Sequence, residues 1–158
     1  MQDNEEIIKD FEKKFKEFKD KAGFTAKLEK LNEFFRINDF IIREGFASKW
    51  ISRQISNAIS EVFSGYLSYL HGIIMPNTQN MLNLAESKLF PQEEKKEIYT
   101  LMSKIIGLLS KNHLNSIELN EKNDGEYLDL CIEFFEKELK EKMKEILKKA
   151  SHYWMEGK

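Results

Sequence analysis

The chain has few of the residues that crosslink a fold or interrupt a helix. Its 158 residues include two prolines, seven glycines and one cysteine, Cys131. A single cysteine excludes a disulfide within the chain and every metal motif that needs several cysteines, and it fits a reducing compartment. Because breakers are scarce and the segments between them repeat apolar residues at helical spacing, the sequence predicts an all-α fold.

A long apolar run and an excess of either charge are also missing. Glu61 and His71 interrupt the best candidate for a membrane span, and the acidic N-terminus with Asp3, Glu5 and Glu6 does not resemble a secretory signal. The net charge of −2 gives no basic excess of the kind that favours non-specific nucleic-acid or anionic-membrane binding. We therefore expect a cytoplasmic protein without membrane contact.

Residues that carry out chemistry form no recognisable pattern. The three histidines, His71, His113 and His152, are far apart, and none has a second histidine one helical turn away. Glycine-rich phosphate loops and nucleophile elbows are absent from the sequence as well. The sequence therefore predicts no catalytic residues, no cofactor and no metal site.

Composition and length favour one domain over residues 1–158. Hydrophobic residues make up 41% of the chain, which is enough for a core and too many for a disordered segment. An N-terminal helix over residues 1–22 could be semi-independent of the remainder.

The most apolar long segment runs from Ala47 to Met75, and it predicts a helix on which the others pack. Its apolar residues cover about half of the circumference at about 100° per residue, which is wider than the stripe of a surface helix. One neighbour cannot cover so wide an arc. The sequence therefore predicts an all-α helical bundle of five to six helices around this central helix.

The remaining helices follow from spacing and from breakers. Helix one is predicted from Asp3 to Ala22 and the last helix from Glu126 to Trp154; because each carries a short heptad-like seam, we expect these terminal helices to pack together. The segment from Asn120 to Gly125 is predicted to be a loop. A short helix is predicted to end at about Phe90. The long helix after it is predicted to begin at Pro91.

One helix boundary stays open between Thr25 and Glu44. Asn38 occupies a seam position in this segment, where a polar residue would fix the register of one long helix. Alternatively, Asn38 and Asp39 cap a short separate helix.

Small residues recur along the central helix and along a second segment. Serine stands at every fourth position from Ser48 to Ser68, and the drift of this spacing places two of the serines inside the apolar arc. Small side chains let helices approach closely, so we interpret the ridges as packing or self-association faces, with a polar groove as the alternative. The predicted interface residues are Ser52, Ser56, Ser103, Gly107 and Ser110.

All three arginines lie in one short stretch that also contains a tryptophan. Arg36, Arg43 and Trp50 follow one another at intervals of seven, so they would share a face if the helix continued through Gly45. Arginine and tryptophan are enriched in interface hot spots, and both also stack on bases. The predicted binding residues are Arg36, Arg43, Trp50, Arg53 and Asn57.

These patterns lead to three hypotheses on function. We expect a non-enzymatic helical protein–protein interaction module that self-associates as a homodimer or binds another protein. The alternative is a small nucleic-acid-binding accessory subunit that uses the arginine and tryptophan patch together with the C-terminal lysines. The third hypothesis is an enzyme with an unfamiliar helical active site.

Overall fold

A computed structural model describes residues 3–157 of the chain, and helices account for 85% of it. No strand occurs among the described residues, so the all-α prediction is confirmed. The ends of the predicted domain, residues 1, 2 and 158, lie outside the described range. The helices are α1 (Asn4–Ala22), α2 (Leu28–Phe35), α3 (Ile37–Glu44), α4 (Ile51–Ile74), α5 (Met81–Ser87), α6 (Gln92–Glu118), α7 (Glu121–Phe134) and α8 (Lys140–Glu156).

Two short segments of other helix types join these elements. A 3₁₀ turn, Ser48–Trp50, leads into α4, and a π-helical turn, Phe135–Leu139, links α7 to α8 without a break. If α7, the π turn and α8 are counted as one helix, the described residues form seven helices in all, one more than the upper prediction.

Contacts divide the chain into two compact units. The first unit comprises residues 3–62 and 108–133 of the described range, and the second comprises residues 63–107 and 134–157. Both α4 and α6 contribute residues to each unit.

An aromatic cluster fills part of the first unit and explains the seam of α1. Phe11, Phe15 and Phe18 of α1 are buried, as their spacing predicts. Phe24 meets the rings of Phe15 and Phe18 at centroid distances of 5.7 and 4.7 Å, and Phe11 meets Phe46 edge-on at 5.5 Å. The seam of α1 is thus covered within its own unit.

The end of α1 also meets the start of α7, the first segment of the C-terminal helix. The Lys21 ammonium lies 3.0 Å from the Glu121 carboxylate. Beyond α1, the backbone N–H groups of Thr25 and Ala26 donate to the Asp129 carboxylate over 2.7 to 3.1 Å. A side chain of α7 therefore holds the loop that leaves α1.

The segment from Thr25 to Glu44 forms two helices, which settles the open boundary. The break lies at Arg36, whose φ of 52° is left-handed, so it is two residues earlier than the proposed caps. Asn32 stabilises the break, since its backbone carbonyl accepts the Arg36 N–H and its side chain accepts the Asn38 N–H at 2.8 Å. The sequence feature that marks the helix break is therefore an asparagine inside α2.

The central helix is confirmed as α4 with its preceding 3₁₀ turn. Ser52 and Ser56 are buried, whereas Ser64 and Ser68 are exposed, as the drift of the serine ridge predicts. The apolar arc is buried at Ile51, Ile55, Ile59, Phe63, Leu70 and Ile73.

The prediction of a loop from Asn120 to Gly125 is wrong, because α7 begins at Glu121. Only Leu119 and Asn120 separate α6 from α7; Leu119 is left-handed with a φ of 53°, and the Asn120 side chain accepts the Asn123 N–H at 3.2 Å. Gly125 lies inside the helix, where a Cβ atom would stand only 2.6 Å from the Phe24 ring. This glycine therefore serves close packing, not a turn.

The π turn resolves an irregular spacing in the last helix. Cys131, Phe135, Leu139 and Met143 are all buried and follow one another at three successive intervals of four. Twelve residues exceed three α-helical turns by about one residue, and a π turn absorbs one extra residue. The apolar stripe of the last helix therefore stays on one side.

Hydrogen bonds and ion pairs join the helices of the second unit. Asn80 caps α5, and the Ser87 hydroxyl donates to the Ile73 carbonyl at 2.6 Å. Three ion pairs connect α6 with the π turn and α8, namely Glu94 with Lys149, Glu97 with Lys142 and Lys104 with Glu138.

Candidate functional site

A cluster of buried polar side chains joins α4, α6 and α7 inside the first unit. Arg53 lies at its centre: Nη1 donates to Asp124 Oδ1 at 2.6 Å, and Nη2 donates to Asn112 Oδ1 at 2.7 Å. The Ser52 hydroxyl donates to the other Asp124 oxygen at 2.8 Å. The buried polar cluster consists of Ser52, Arg53, Ser60, Asn112, Asp124 and Tyr127.

The cluster continues from Asn112 of α6 through Ser60 of α4 to Tyr127 of α7. Asn112 Nδ2 donates to the Ser60 hydroxyl at 2.6 Å, and the Ser60 and Tyr127 hydroxyls lie 3.3 Å apart. Asp124 and Asn112 are only 1% and 3% exposed, so water cannot replace these partners. Polar groups buried in this way are costly unless they bond to one another, and the helices must keep this arrangement.

Burial shifts the pKa of two neighbouring groups, Tyr127 of the cluster and Cys131 beside it. Burial raises the pKa of the Tyr127 hydroxyl, and the neighbouring Cys131 raises it further. Burial likewise raises the pKa of the Cys131 thiol, although the hydrogen bond with Tyr127 acts in the opposite direction. Both groups are therefore protonated at neutral pH, where a general base or a thiolate nucleophile would have to be ionised.

The cluster fixes the rotation of the first-unit part of α6 about the helix axis. Asn112 and Asn115 are buried on one side of this helix, and Asn115 donates to the Asn123 carbonyl at 3.3 Å. On another side of the same part, Ser110, Leu114 and Ile117 are exposed.

The exposed side of α6 carries a seam of uncharged residues. They recur at alternating intervals of three and four, which places them in one line along a helix. Leu114 and Ile117 are 52% and 79% exposed, and Tyr99 and Ile106, which flank the seam, are 63% and 48% exposed. We define the α6 outer face as the exposed residues Thr100, Ser103, Gly107, Ser110, Leu114 and Ile117.

The predicted interface residues separate into two groups. Ser103, Gly107 and Ser110 are exposed members of the α6 outer face. Ser52 and Ser56 are 6% and 0% exposed, and Ser52 belongs to the buried polar cluster. Of the five predicted interface residues, only the three on α6 are therefore accessible to another molecule.

The predicted arginine and tryptophan patch does not form on one helical face. The helix is interrupted at Arg36 and again at Gly45, whose φ is 82°, so the condition for a shared face is not met. Arg53 points into the buried polar cluster instead of standing beside Trp50, which is 44% exposed. Asn57 is exposed at the edge of the cluster, where its side-chain oxygen lies 3.5 Å from Asn112 Nδ2.

Acidic partners accompany the surface arginines and several C-terminal lysines. Arg36 pairs with Asp39 at 2.6 Å, and Arg43 pairs with both Glu44 and Glu61. Lys144 pairs with Glu141 at 3.1 Å. Basic groups that are neutralised in this way attract phosphates less strongly than free ones.

Two clefts lie beside paired charges and not beside the buried polar cluster. A cleft in the first unit has a volume of about 240 Å³ and is lined by residues of α1, of the 3₁₀ turn and of the starts of α4 and α7, among them Lys14, Lys21 and Lys49. A cleft in the second unit has a volume of about 320 Å³ and lies between Glu94, Glu97 and the lysines that pair with them.

Sequence reasoning missed the partners of Arg53. The sequence predicts Asp124 in a loop and gives no prediction for Asn112. A signal for Asn112 and Asn115 was present, because both continue the spacing of the buried residues Ile98, Met102 and Ile105 along α6.

Among residues 3–157, no three of the His, Cys, Asp and Glu side chains are grouped in a way that could hold a metal ion. Within the same range, no helix has both the length and the apolar character that a membrane span requires. Comparison of the chain with protein-family models, with curated proteins and with solved structures found no match.

Proposed function

We propose that this chain is a non-enzymatic protein–protein interaction module that associates with a second copy of itself through the α6 outer face. One observation carries the proposal: α6 keeps large apolar residues on its exposed side, beside a line of small ones. Contiguous exposed apolar surface on a soluble domain often marks an interaction site. Small residues among the apolar ones let two helix backbones approach closely.

The buried polar cluster supports the same function. It holds the part of α6 that contains Asn112 in a fixed rotation, so Ser110, Leu114 and Ile117 of the outer face are already in place before a partner arrives. A preformed face loses little conformational entropy on binding. We place the protein in the cytoplasm, where its buried, unpaired Cys131 would stay reduced.

Light scattering of the purified chain over a range of concentrations tests the proposal. The wild type should have the mass of a dimer, and Leu114→Lys should have the mass of a monomer because a charge is placed within the α6 outer face. Leu147→Lys is the matched control, since Leu147 of α8 is 45% exposed, close to the 52% of Leu114, but lies outside the face. This control should remain dimeric.

Two results would contradict the proposal. A wild type that stays monomeric at every concentration would exclude self-association. A dimer that dissociates equally in both variants would show that a different surface is responsible. Absorbance at two wavelengths across the same peak reports bound nucleic acid, whose loss at higher salt would favour the accessory-subunit alternative.

A further inference from the structure

We propose that two copies of the chain join in an antiparallel arrangement, with the α6 outer face of one copy on that of the other. This inference rests on the proposed function and specifies its geometry. The face is part of one uninterrupted helix, Gln92–Glu118, so its order of residues is a property of that element alone.

The side chains of the seam are small at its N-terminal end and large at its C-terminal end. Thr100, Ser103 and Gly107 occupy the N-terminal half, and Leu114 and Ile117 occupy the C-terminal half, with Ser110 between them. In an antiparallel pair the small half of one helix lies against the large half of the other. A single register then pairs every residue of the seam with a residue of the second copy, and each such pair forms one layer. Thr100 lies against Ile117 of the second copy, Ser103 against Leu114 of the second copy, and Gly107 against Ser110 of the second copy.

This register keeps the distance between the helix axes nearly constant. Each layer near an end combines one small and one large side chain, and the central layers combine glycine with serine. A parallel pair would stack Leu114 on Leu114 and Gly107 on Gly107, which would hold the helices apart at one end and leave voids at the other. Voids of this kind lose dispersion contacts and destabilise a complex.

Charges beside the seam complement one another in the same register. Lys111 of the second copy lies at the same height along the helix axis as Ile106, next to the Lys104–Glu138 ion pair. Glu138 would therefore lie between two lysines. Glu118 of the second copy comes level with Tyr99, near the Glu97–Lys142 ion pair, so Lys142 would lie between two glutamates. Each added charge therefore finds an opposite charge at the edge of the seam.

The paired seam is short. From Thr100 to Ile117 it spans about 26 Å at about 1.5 Å per residue. An interface built from one helix pair of this length falls at the small end of specific interfaces, so we expect a dimer that dissociates on dilution.

Disulfide trapping tests the arrangement with two single variants, Ser103→Cys and Leu114→Cys. In the proposed register these positions face each other across the pair, whereas each is about 16 Å along the axis from its own copy. A disulfide needs Cα atoms within about 7 Å. A mixture of the two variants should therefore form a covalent dimer under mild oxidation, and neither variant should do so alone.

The controls separate a failure of the arrangement from a failure of the proposed function. The wild type should not crosslink, because its only cysteine, Cys131, is buried. Crosslinking of each single variant with itself would indicate a parallel pair, which overturns the register and leaves self-association intact. An unlinked mixture with a dimer mass would overturn the register and the face, and a monomer mass would overturn self-association itself.

Discussion

Arg53 Nη1 lies 2.6 Å from Asp124 Oδ1, and the two residues are 71 positions apart in the chain. Their side chains are 11% and 1% exposed, so the ion pair is shielded from water. Because an isolated buried charge is unfavourable, neither residue can keep its position without the other. The pair therefore fixes α4 against α7, and Asn112 extends this constraint to α6.

Removal of one member of this pair should destabilise the fold strongly. In Arg53→Ala the Asp124 carboxylate stays buried with only the Ser52 hydroxyl as a side-chain partner. Loss of one partner from a buried ion pair costs about 3–5 kcal/mol, and we expect this decrease in the free energy of unfolding by urea. Arg43→Ala is the matched control, because both members of the Arg43–Glu61 pair are 55% exposed, and its transition midpoint should not move measurably. Equal shifts in the two variants would contradict a stabilising role for the buried pair.

Periodicity made most of the fold predictable. The buried phenylalanines of α1, the apolar arc of α4 and the burial of Ser52 and Ser56 all follow from about 3.6 residues per turn. The open boundary near Asn38 and the wrong prediction of a loop before Gly125 both have local causes. Asn32 supplies a bond that breaks a helix at Arg36, and Phe24 explains a glycine at position 125 that looked like a turn residue.

The site was less predictable than the fold. Small residues at helical spacing form a pattern within one element, and this pattern predicts Ser103, Gly107 and Ser110 as interface residues. The position of Arg53 depends on Asp124 and Asn112, which are distant in sequence, and no local pattern specifies such a pair. Arg53 is therefore buried although the sequence predicts it as a binding residue, and the helix that carries it is confirmed.

Alkaline pH should weaken the fold through Tyr127 and Cys131. Burial raises the pKa of both groups above their ordinary values of 10.0 and 9.0, so the folded chain keeps protons that the unfolded chain loses. The stabilisation is complete below about pH 9 and decreases as the pH rises through about 9 to 11, with a slope of about 1.36 kcal/mol per pH unit for each group that is ionised only in the unfolded chain. Urea titrations followed by far-ultraviolet circular dichroism would measure this slope.

Tyr127→Phe should reduce the alkaline slope above about pH 10 because it removes one of the protons that the folded chain keeps and the unfolded chain loses. Tyr99→Phe is the matched control, since Tyr99 is 63% exposed, and it should keep the slope of the wild type. If the slope of Tyr127→Phe equals that of the wild type, the Tyr127 hydroxyl does not contribute to the alkaline loss.

The π turn predicts which residue of the last helix can be deleted. Deletion of exposed Lys137 removes one residue from the Phe135–Leu139 turn. The interval between the buried residues Phe135 and Leu139 then falls from four to three, which suits a regular α-helix, and both side chains stay on the buried side. We therefore expect a helical content close to that of the wild type and a melting temperature lower by no more than a few degrees.

Deletion of Lys144, an exposed residue in the regular part of α8, is the matched control. It shortens the interval between the buried residues Met143 and Ile146 from three to two, and it rotates every following residue by about 100°. Ile146 and Ala150 would turn away from the core, so the cooperative melting transition should shift by far more than in the Lys137 deletion. Thermal unfolding of both variants under identical conditions measures the difference. Equal decreases in melting temperature would mean that the π turn does not hold the extra residue of the irregular spacing. In a helix without an extra residue, no deletion would restore the register of the buried side chains.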